Sequence, residues 1–248
     1  MGDLLAVDIG NTNITIGVFK NDRLVKKLKV PTNSCSLYGR CFSGISSLAD
    51  TCLPDVIISS VVPLALSRFL VELNKTFKSN ITIVGRDKIV PINNMYKIKS
   101  EVGQDRLVNA FAAKVLYGSP CVIVDFGTAV TFDVVSVKGE YLGGLILPGI
   151  EMSLSSLHKN TALLPRVELK ATPSIIGRDT VNSIRGGILF GLGATCDGLS
   201  SRYKKMLGKN TKIIATGGNA ALIRRYARSI RIVDEELTLK GLRLINNL

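Results

Sequence analysis

DLLAVDIGNTNITIGVF, residues 3–19, reads as two apolar strands with a polar insert between them. Residues 3–9 suit one strand, and Ile14, Ile16 and Val18 alternate as the buried face of a second strand does. The insert, Asp8-Ile9-Gly10-Asn11-Thr12, holds more polar chemistry than a turn needs. Asn and Gly are ordinary turn residues, so taken alone the segment is accounted for by a plain hairpin. The pattern returns, however, as PCVIVDFGTAVTFDVV, residues 120–135, with Asp125-Phe126-Gly127-Thr128-Ala129 in the same place. Two acid–glycine hairpins together with the distal Thr216-Gly217-Gly218 are much harder to reach by chance.

Working outward, the pattern predicts a third strand over 24–30, a helix over 36–50, a buried strand over 55–62, an amphipathic helix over 63–78 and a strand over 80–85. A loop then leads into a helix over 105–117, which Gly118 ends. After Pro120 the order restarts. Strands are expected over 121–127 and 129–135, a turn at Lys138-Gly139, and a glycine-interrupted strand over 141–149. Helices follow near 150–160 and 179–206, then the strand KIIAT ending in Gly217-Gly218, a helix, a strand over 229–234 and a closing helix. This predicts a duplicated α/β chain with halves at 1–118 and 119–248.

The composition narrows the function classes. Of 248 residues, 46% are apolar, enough for a real core. No run of about 18 apolar residues is free of charge, and the start has no basic n-region, so neither a membrane span nor a signal peptide is expected. The cysteines, Cys35, Cys41, Cys52, Cys121 and Cys196, are odd in number and form no CxxC, which reads as thiols in a reducing cytoplasm. The net charge of +13 is spread along the chain without a block of five, and aromatics are only 6%. A basic, solvated surface explains this best. Binding of a nucleotide or a carboxylate substrate comes next, and specific nucleic-acid binding is not expected.

A carboxylate at a strand end can hold a cation or its water shell. The glycine lets backbone approach a ligand, and N–H groups with Thr and Asn side chains can cup phosphate oxygens. Gly217-Gly218, ending a strand before a helix, can pack against a base or ribose. No GxxxxGK[ST] loop is present to compete. Transfer of a phosphoryl group to a hydroxyl also needs a proton acceptor. The one histidine, His158, lies in a polar segment and reads as incidental, which leaves a carboxylate. Asp105, in EVGQDRLVNA (101–110), follows a glycine at a helix start beside Arg106. Spacing alone leaves it equally well explained as a first-turn acid favoured by the helix dipole. An adjacent guanidinium fork suits a substrate carboxylate.

The paired hairpins and distal glycines resemble the actin/hexokinase/heat-shock ATPase superfamily. Over essentially the whole chain the sequence looks like a type III pantothenate kinase. The family's D-x-G-N-T stands at Asp8–Thr12, its G-x-D-R at Gly103-Gln104-Asp105-Arg106 and its D-x-G-T-A at Asp125–Ala129; GGLILPG, NTALLP and GRDTVNSIRGGILFG match its later blocks. The resemblance implies two ribonuclease H-like α/β units, each with a mixed five-stranded sheet flanked by helices, and a nucleotide cleft between them.

It further implies that Asp8, Ile9, Gly10, Asn11, Thr12, Asn13, Ile14 and Thr15 bind ATP phosphates, with Asp8 near magnesium. Thr128 contacts ATP, and Gly217 and Gly218 match the adenosine motif. Asp105 accepts the proton of the pantothenate hydroxyl. Gly103, Gln104 and Arg106 line the substrate site, with Arg106 on the substrate carboxylate, and Tyr96 and Thr180 also touch pantothenate. Asp125 ligates a monovalent cation, potassium or ammonium, and two copies pair as a homodimer in which Thr180 reaches the partner's site. Without the family, Tyr96 is equally a loop-packing aromatic and Thr180 a helix-start residue. Two positions depart from the pattern: Gln104, where a small residue or proline is usual, and Val130, where threonine is common. Another small-molecule kinase on this scaffold, or a non-catalytic transcription accessory factor, remains the alternative.

Overall fold

The structure, a computed structural model, describes residues 3–34, 38, 39, 42, 55–172 and 174–248. The helix expected over 36–50 lies largely outside the described residues. The opening stretch folds as expected: β1 (Leu4–Ile9) runs antiparallel to β2 (Asn13–Lys20), and β2 to β3 (Arg23–Pro31). β4 (Asp55–Ser60) lies parallel to β1 on its other side, and β5 (Ile81–Ile83) parallel to β4. The sheet order is β3-β2-β1-β4-β5.

The second sheet repeats this order and sense. β6 (Cys121–Phe126) pairs antiparallel with β7 (Ala129–Val135), and β7 with β8 (Tyr141–Pro148). β9 (Lys212–Thr216) lies parallel to β6, and β10 (Ile232–Val233) parallel to β9, so read from β8 the order is β8-β7-β6-β9-β10. The duplication visible in two short motifs therefore extends to strand order and direction. Both sheets are mixed and five-stranded, as expected.

Period-two alternation sorts each strand's side chains between the two faces of its sheet. Leu5, Val7 and Ile9 with Ile14, Ile16 and Val18 form one core, covered by α1 (Pro63–Thr76) through Ala65, Phe69 and Leu73. Pro63 starts that helix, where its missing N–H leaves nothing unsatisfied. Val122, Val124 and Phe126 with Val130, Phe132 and Val134 form the other core. It is covered by α3 (Ile150–Lys159) and the 28-residue α4 (Thr180–Leu207).

α2 (Gln104–Tyr117) ends at Gly118, whose φ of +84° favours glycine. α5 (Ala220–Ile223) is one turn only, and β5 is shorter than expected because the chain turns at Gly85, φ +86°. His158 lies exposed in the last turn of α3, its Nδ1 3.0 Å from the Leu164 carbonyl.

The closing helix α6 (Leu237–Asn246) packs on β1 and β4. Leu237, Leu239, Leu242 and Ile245 are buried there, and Leu239 sits where a β-carbon on Gly17 would be, 2.9 Å away. Thr238 donates to Asn109 of α2 (2.7 Å), and Arg243 pairs with Asp22 (2.9 Å). The chain divides into two compact units: residues 1–92, 97–112 and 237–248 in the first, 93–96 and 113–236 in the second. No helix among the described residues is long and apolar enough to cross a membrane.

Candidate active site

In the first unit Asp8 closes β1, half-buried, with Thr15 beside it in β2 and Ser59 beside it in β4. The three side chains share one face of the sheet, opposite the α1 core. Ser59 is fully buried, and its Oγ has no hydrogen-bond partner among the described residues. The hairpin tip closes through the Gly10 N–H, which donates to the Asn13 carbonyl (3.0 Å). Thr32 braces that tip from outside. Its N–H donates to Thr12 (3.0 Å), its Oγ1 to the Gly10 carbonyl (2.7 Å), and its own carbonyl accepts the Tyr38 hydroxyl. Asn11 and Thr12 are exposed, whereas Ile9 and Ile14 are wholly buried and offer a ligand only backbone.

The Gly103–Arg106 stretch starts α2. The Gly103 carbonyl accepts the Arg106 N–H (3.1 Å), and Asp105 Oδ1 accepts the same N–H at 2.8 Å. Asp105 thus sits in the first helical turn, where the dipole favours its charge. Its carboxylate folds back so far that a β-carbon on Gly103 would lie 2.5 Å from Oδ1. A side chain there would have to displace the Asp105 carboxylate from this position. The same β-carbon would be 3.3 Å from Val61, whose N–H is tied to the Ile9 carbonyl at the end of β1 (3.1 Å). The end of β1, the turn after β4 and the start of α2 are therefore neighbours at the carboxyl ends of the parallel strands, the edge where open α/β sheets bind ligands. Arg106 is 9% exposed, and Gln104 packs over Gly85.

The second unit repeats the acid. Asp125 closes β6 half-buried between Thr131 of β7 and Thr216 of β9. The tip, Gly127-Thr128, is exposed and one residue tighter than the first, with Gly127 N–H donating to Ala129 (3.1 Å). Gly149 lies directly under it, and a β-carbon there would overlap the Thr128 carbonyl. Gly217, φ +88°, lies against the acid: its β-carbon would be 2.5 Å from Asp125 Oδ1 and 2.8 Å from the Phe126 nitrogen. Acid, hairpin tip and the Gly217-Gly218 turn therefore occupy one place. Val130 is fully buried in the apolar core, on the face away from Asp125, so a valine there takes no hydroxyl from the acid's side.

Tyr96 is half-buried in the second unit, its ring against Gly143 and its centroid 6.5 Å from that of Tyr141. Thr180 is exposed at the start of α4. Asp179 caps that helix by accepting the Asn182 N–H (2.8 Å), which, with the Asn182 amide, holds its carboxyl below the usual range. Thr180, Arg178 and Gly177 line a groove of about 650 Å³ with Leu157 and Ile188, and no hairpin residue lines it. Thr32, Ser59 and the buried acid Asp133 went unnoticed in the sequence. Each acts through a partner far away in sequence or across a strand pair.

The donors suit hard cations. Among the described residues no three of His, Cys, Asp or Glu gather to hold a metal. A divalent ion here would rest on one carboxylate, water and ligand phosphates, which is how magnesium binds. Asp8 fits that need. Asp125, at the glycine turn, offers a single carboxylate for a weaker monovalent ion.

Comparison with known proteins identifies the family. The family model for type III pantothenate kinase matches residues 4–202. The type III pantothenate kinase of Geobacter sp. strain M21 is 44% identical over 98% of both chains, and that of Syntrophus aciditrophicus strain SB 40% identical over 98% of both. Among solved structures, the inorganic polyphosphate/ATP-glucomannokinase of Arthrobacter sp. strain KM shares the fold. Its TM-score is 0.50 at 11% identity, covering 100% of this chain and 99% of that one. The chain belongs to the type III pantothenate kinase family.

Proposed function

We propose that the protein transfers the γ-phosphoryl group of ATP to the 4′-hydroxyl of pantothenate, the first step of coenzyme A synthesis. The observation that carries this reading is the Asp105 carboxylate, held over Gly103 by the Arg106 N–H beside the end of β1. There it accepts the hydroxyl proton as the substrate oxygen attacks the γ-phosphorus and ADP leaves. Gly103, Gln104 and Arg106 line the substrate site, with the Arg106 guanidinium on the substrate carboxylate. Tyr96 and Thr180 contact pantothenate as well.

The backbone and polar side chains of Asp8–Thr15 hold ATP phosphates, Thr128 contacts ATP, and Gly217 and Gly218 take its adenosine. Asp8 stands near magnesium, which when bound neutralises phosphate charge, and Asp125 ligates potassium or ammonium. The same reading places the protein in the cytoplasm and pairs two copies. The exposed Leu163, Ile175 and Ile176 in the second unit support such a pairing.

The test is ADP release from magnesium–ATP with and without pantothenate, first in potassium and then in sodium buffer. Release that needs both pantothenate and potassium supports the reading. Folded protein that ignores pantothenate in either buffer sinks it, in favour of another acceptor or a non-catalytic role.

A further inference from the structure

On the face of the second sheet that carries Asp125, a polar chain runs away from the acid. Thr131 is the register partner of Asp125, yet its Oγ1 donates to Asp133 Oδ2 at 2.8 Å. Asp133 Oδ1 accepts the Tyr141 hydroxyl, also at 2.8 Å. Asp133 and Tyr141 are both fully buried. A carboxylate without solvent exposure is costly unless well bonded, and a pair of hydroxyl donors is an expensive way merely to fill a core. Gly144 stands opposite Asp133 in β8, and the register shifts between Val134 and Val135 opposite Tyr141 and Gly143. That irregularity aims Tyr141 back at Asp133 and leaves Gly143, φ +102°, as a bare floor.

Tyr96 lies on that floor. A β-carbon on Gly143 would be 3.0 Å from the Tyr96 ring. Two backbone hydrogen bonds at Tyr141 join residues 93–96 to β8: its N–H donates to the Asn93 carbonyl (2.9 Å) and its carbonyl accepts the Met95 N–H (2.9 Å). The Tyr96 N–H is then fixed by Asn94 Oδ1 at 3.0 Å. Tyr141 therefore carries the 93–96 segment on its backbone, meets the Tyr96 ring with its own ring, and is itself locked by Asp133.

We propose that Asp133 and Tyr141 are positioning residues for Tyr96, setting its ring for the hydroxy-carboxylate substrate. This rests on Tyr96 being a pantothenate contact. Neither residue touches the substrate; both act through the 93–96 segment. Loss of the Tyr141 hydroxyl loosens Tyr96 and weakens substrate binding, while ATP binding and the proton acceptor are untouched.

The test compares Tyr141→Phe, Asp133→Asn, Tyr96→Ala and the double variant Tyr141→Phe/Tyr96→Ala by steady-state kinetics, with thermal unfolding as a fold check. Tyr141→Phe should raise the KM for pantothenate roughly fivefold to tenfold, less than the full worth of one charged hydrogen bond because the effect reaches the substrate only through Tyr96. kcat and the KM for ATP should stay within about twofold of the parent. In the Tyr96→Ala background the same change should add nothing, because its effect passes through that ring. If Tyr141→Phe does not fold, Asp133→Asn, which keeps the size and one acceptor, must show the same KM split. A KM for pantothenate unchanged in Tyr141→Phe while Tyr96→Ala raises it, or effects that simply add, overturns the positioning role alone. An unchanged KM in Tyr96→Ala overturns both it and the contact on which it rests.

Discussion

Replacing Gly217 with alanine should damage stability and nucleotide binding together. At φ +88° a side chain is strained by about 1–2 kcal/mol. The methyl would also stand 2.5 Å from Asp125 Oδ1 and 2.8 Å from the nitrogen and carbonyl carbon of Phe126. The carboxylate can turn away, but Phe126 cannot, because it is paired with Val130 of β7 and its side chain is buried in the core. Overpacking of this kind costs about 1–3 kcal/mol, so the sum is about 2–5 kcal/mol. At this chain length each kcal/mol lowers Tm by roughly 2–4 °C. Around the middle of the range, the fall is about 7–14 °C, readable by circular dichroism. Titration calorimetry should show weaker ATP binding in whatever fraction remains folded. Gly187 in α4 is the control, since a β-carbon there meets nothing within 4 Å. Gly187→Ala should hold or raise Tm, as glycine in a helix is about 0.5–1 kcal/mol worse than alanine. A Gly217→Ala protein that melts within a degree of the parent and binds ATP normally would refute this account of the turn.

Asp105→Asn should fold normally yet lose roughly 10²–10⁴-fold in turnover, measured by ADP release; unchanged turnover would remove Asp105 from its role. Thr32→Val deletes the hydroxyl that braces the first hairpin, leaving the Gly10 carbonyl one donor short. It should cost about 1 kcal/mol in urea unfolding and raise the KM for ATP, and neither change would show Thr32 to be dispensable. The depressed Asp179 carboxyl contributes stability above its unfolded value of about 3.9, lost as pH falls through the lower folded value. Asp179→Ala should therefore flatten that part of the stability–pH curve, and superimposable curves would count against the cap. Burial pushes the thiols of Cys121 and Cys196 up to about 12. Peptide-mapped alkylation at pH 8 should spare both in folded protein and modify both in urea; rapid labelling of native protein would contradict their burial.

The two hairpins were legible because everything that makes them is local. Alternating Ile14, Ile16 and Val18 specifies the buried face, and Asp8-x-Gly marks where the strand must turn. The same holds for β6 and β7, and two copies of one local pattern foretold two copies of one sheet. What could not be read is chemistry that strand order creates. Ser59 meets Asp8 only because β4 lands beside β1, and Thr32 reaches Gly10 across 22 residues. Asp133 looked like one more polar position in an alternating strand until Tyr141 of the next strand came to rest on it. Gly103 and Gly217 were readable as glycines but not as positions where an acid occupies the space of a side chain. Nor did any local signal say that the helix at 237–246 would cover β1 and β4.

That last helix bears on how the protein is made. A ribosome releases the chain from its N-terminus, and the first unit's sheet is complete by β5. The apolar helix that covers one of its faces, with Leu237, Leu239, Leu242 and Ile245, is translated only after the whole second unit. Until then Leu4, Ala6 and Ile57 lack that partner, and the nascent sheet carries a greasy, unfinished face through more than a hundred codons of synthesis. The second unit, continuous from 113 to 236, meets no such delay. Vectorial synthesis thus leaves the earlier unit's sheet waiting for a helix that is translated only after the later unit.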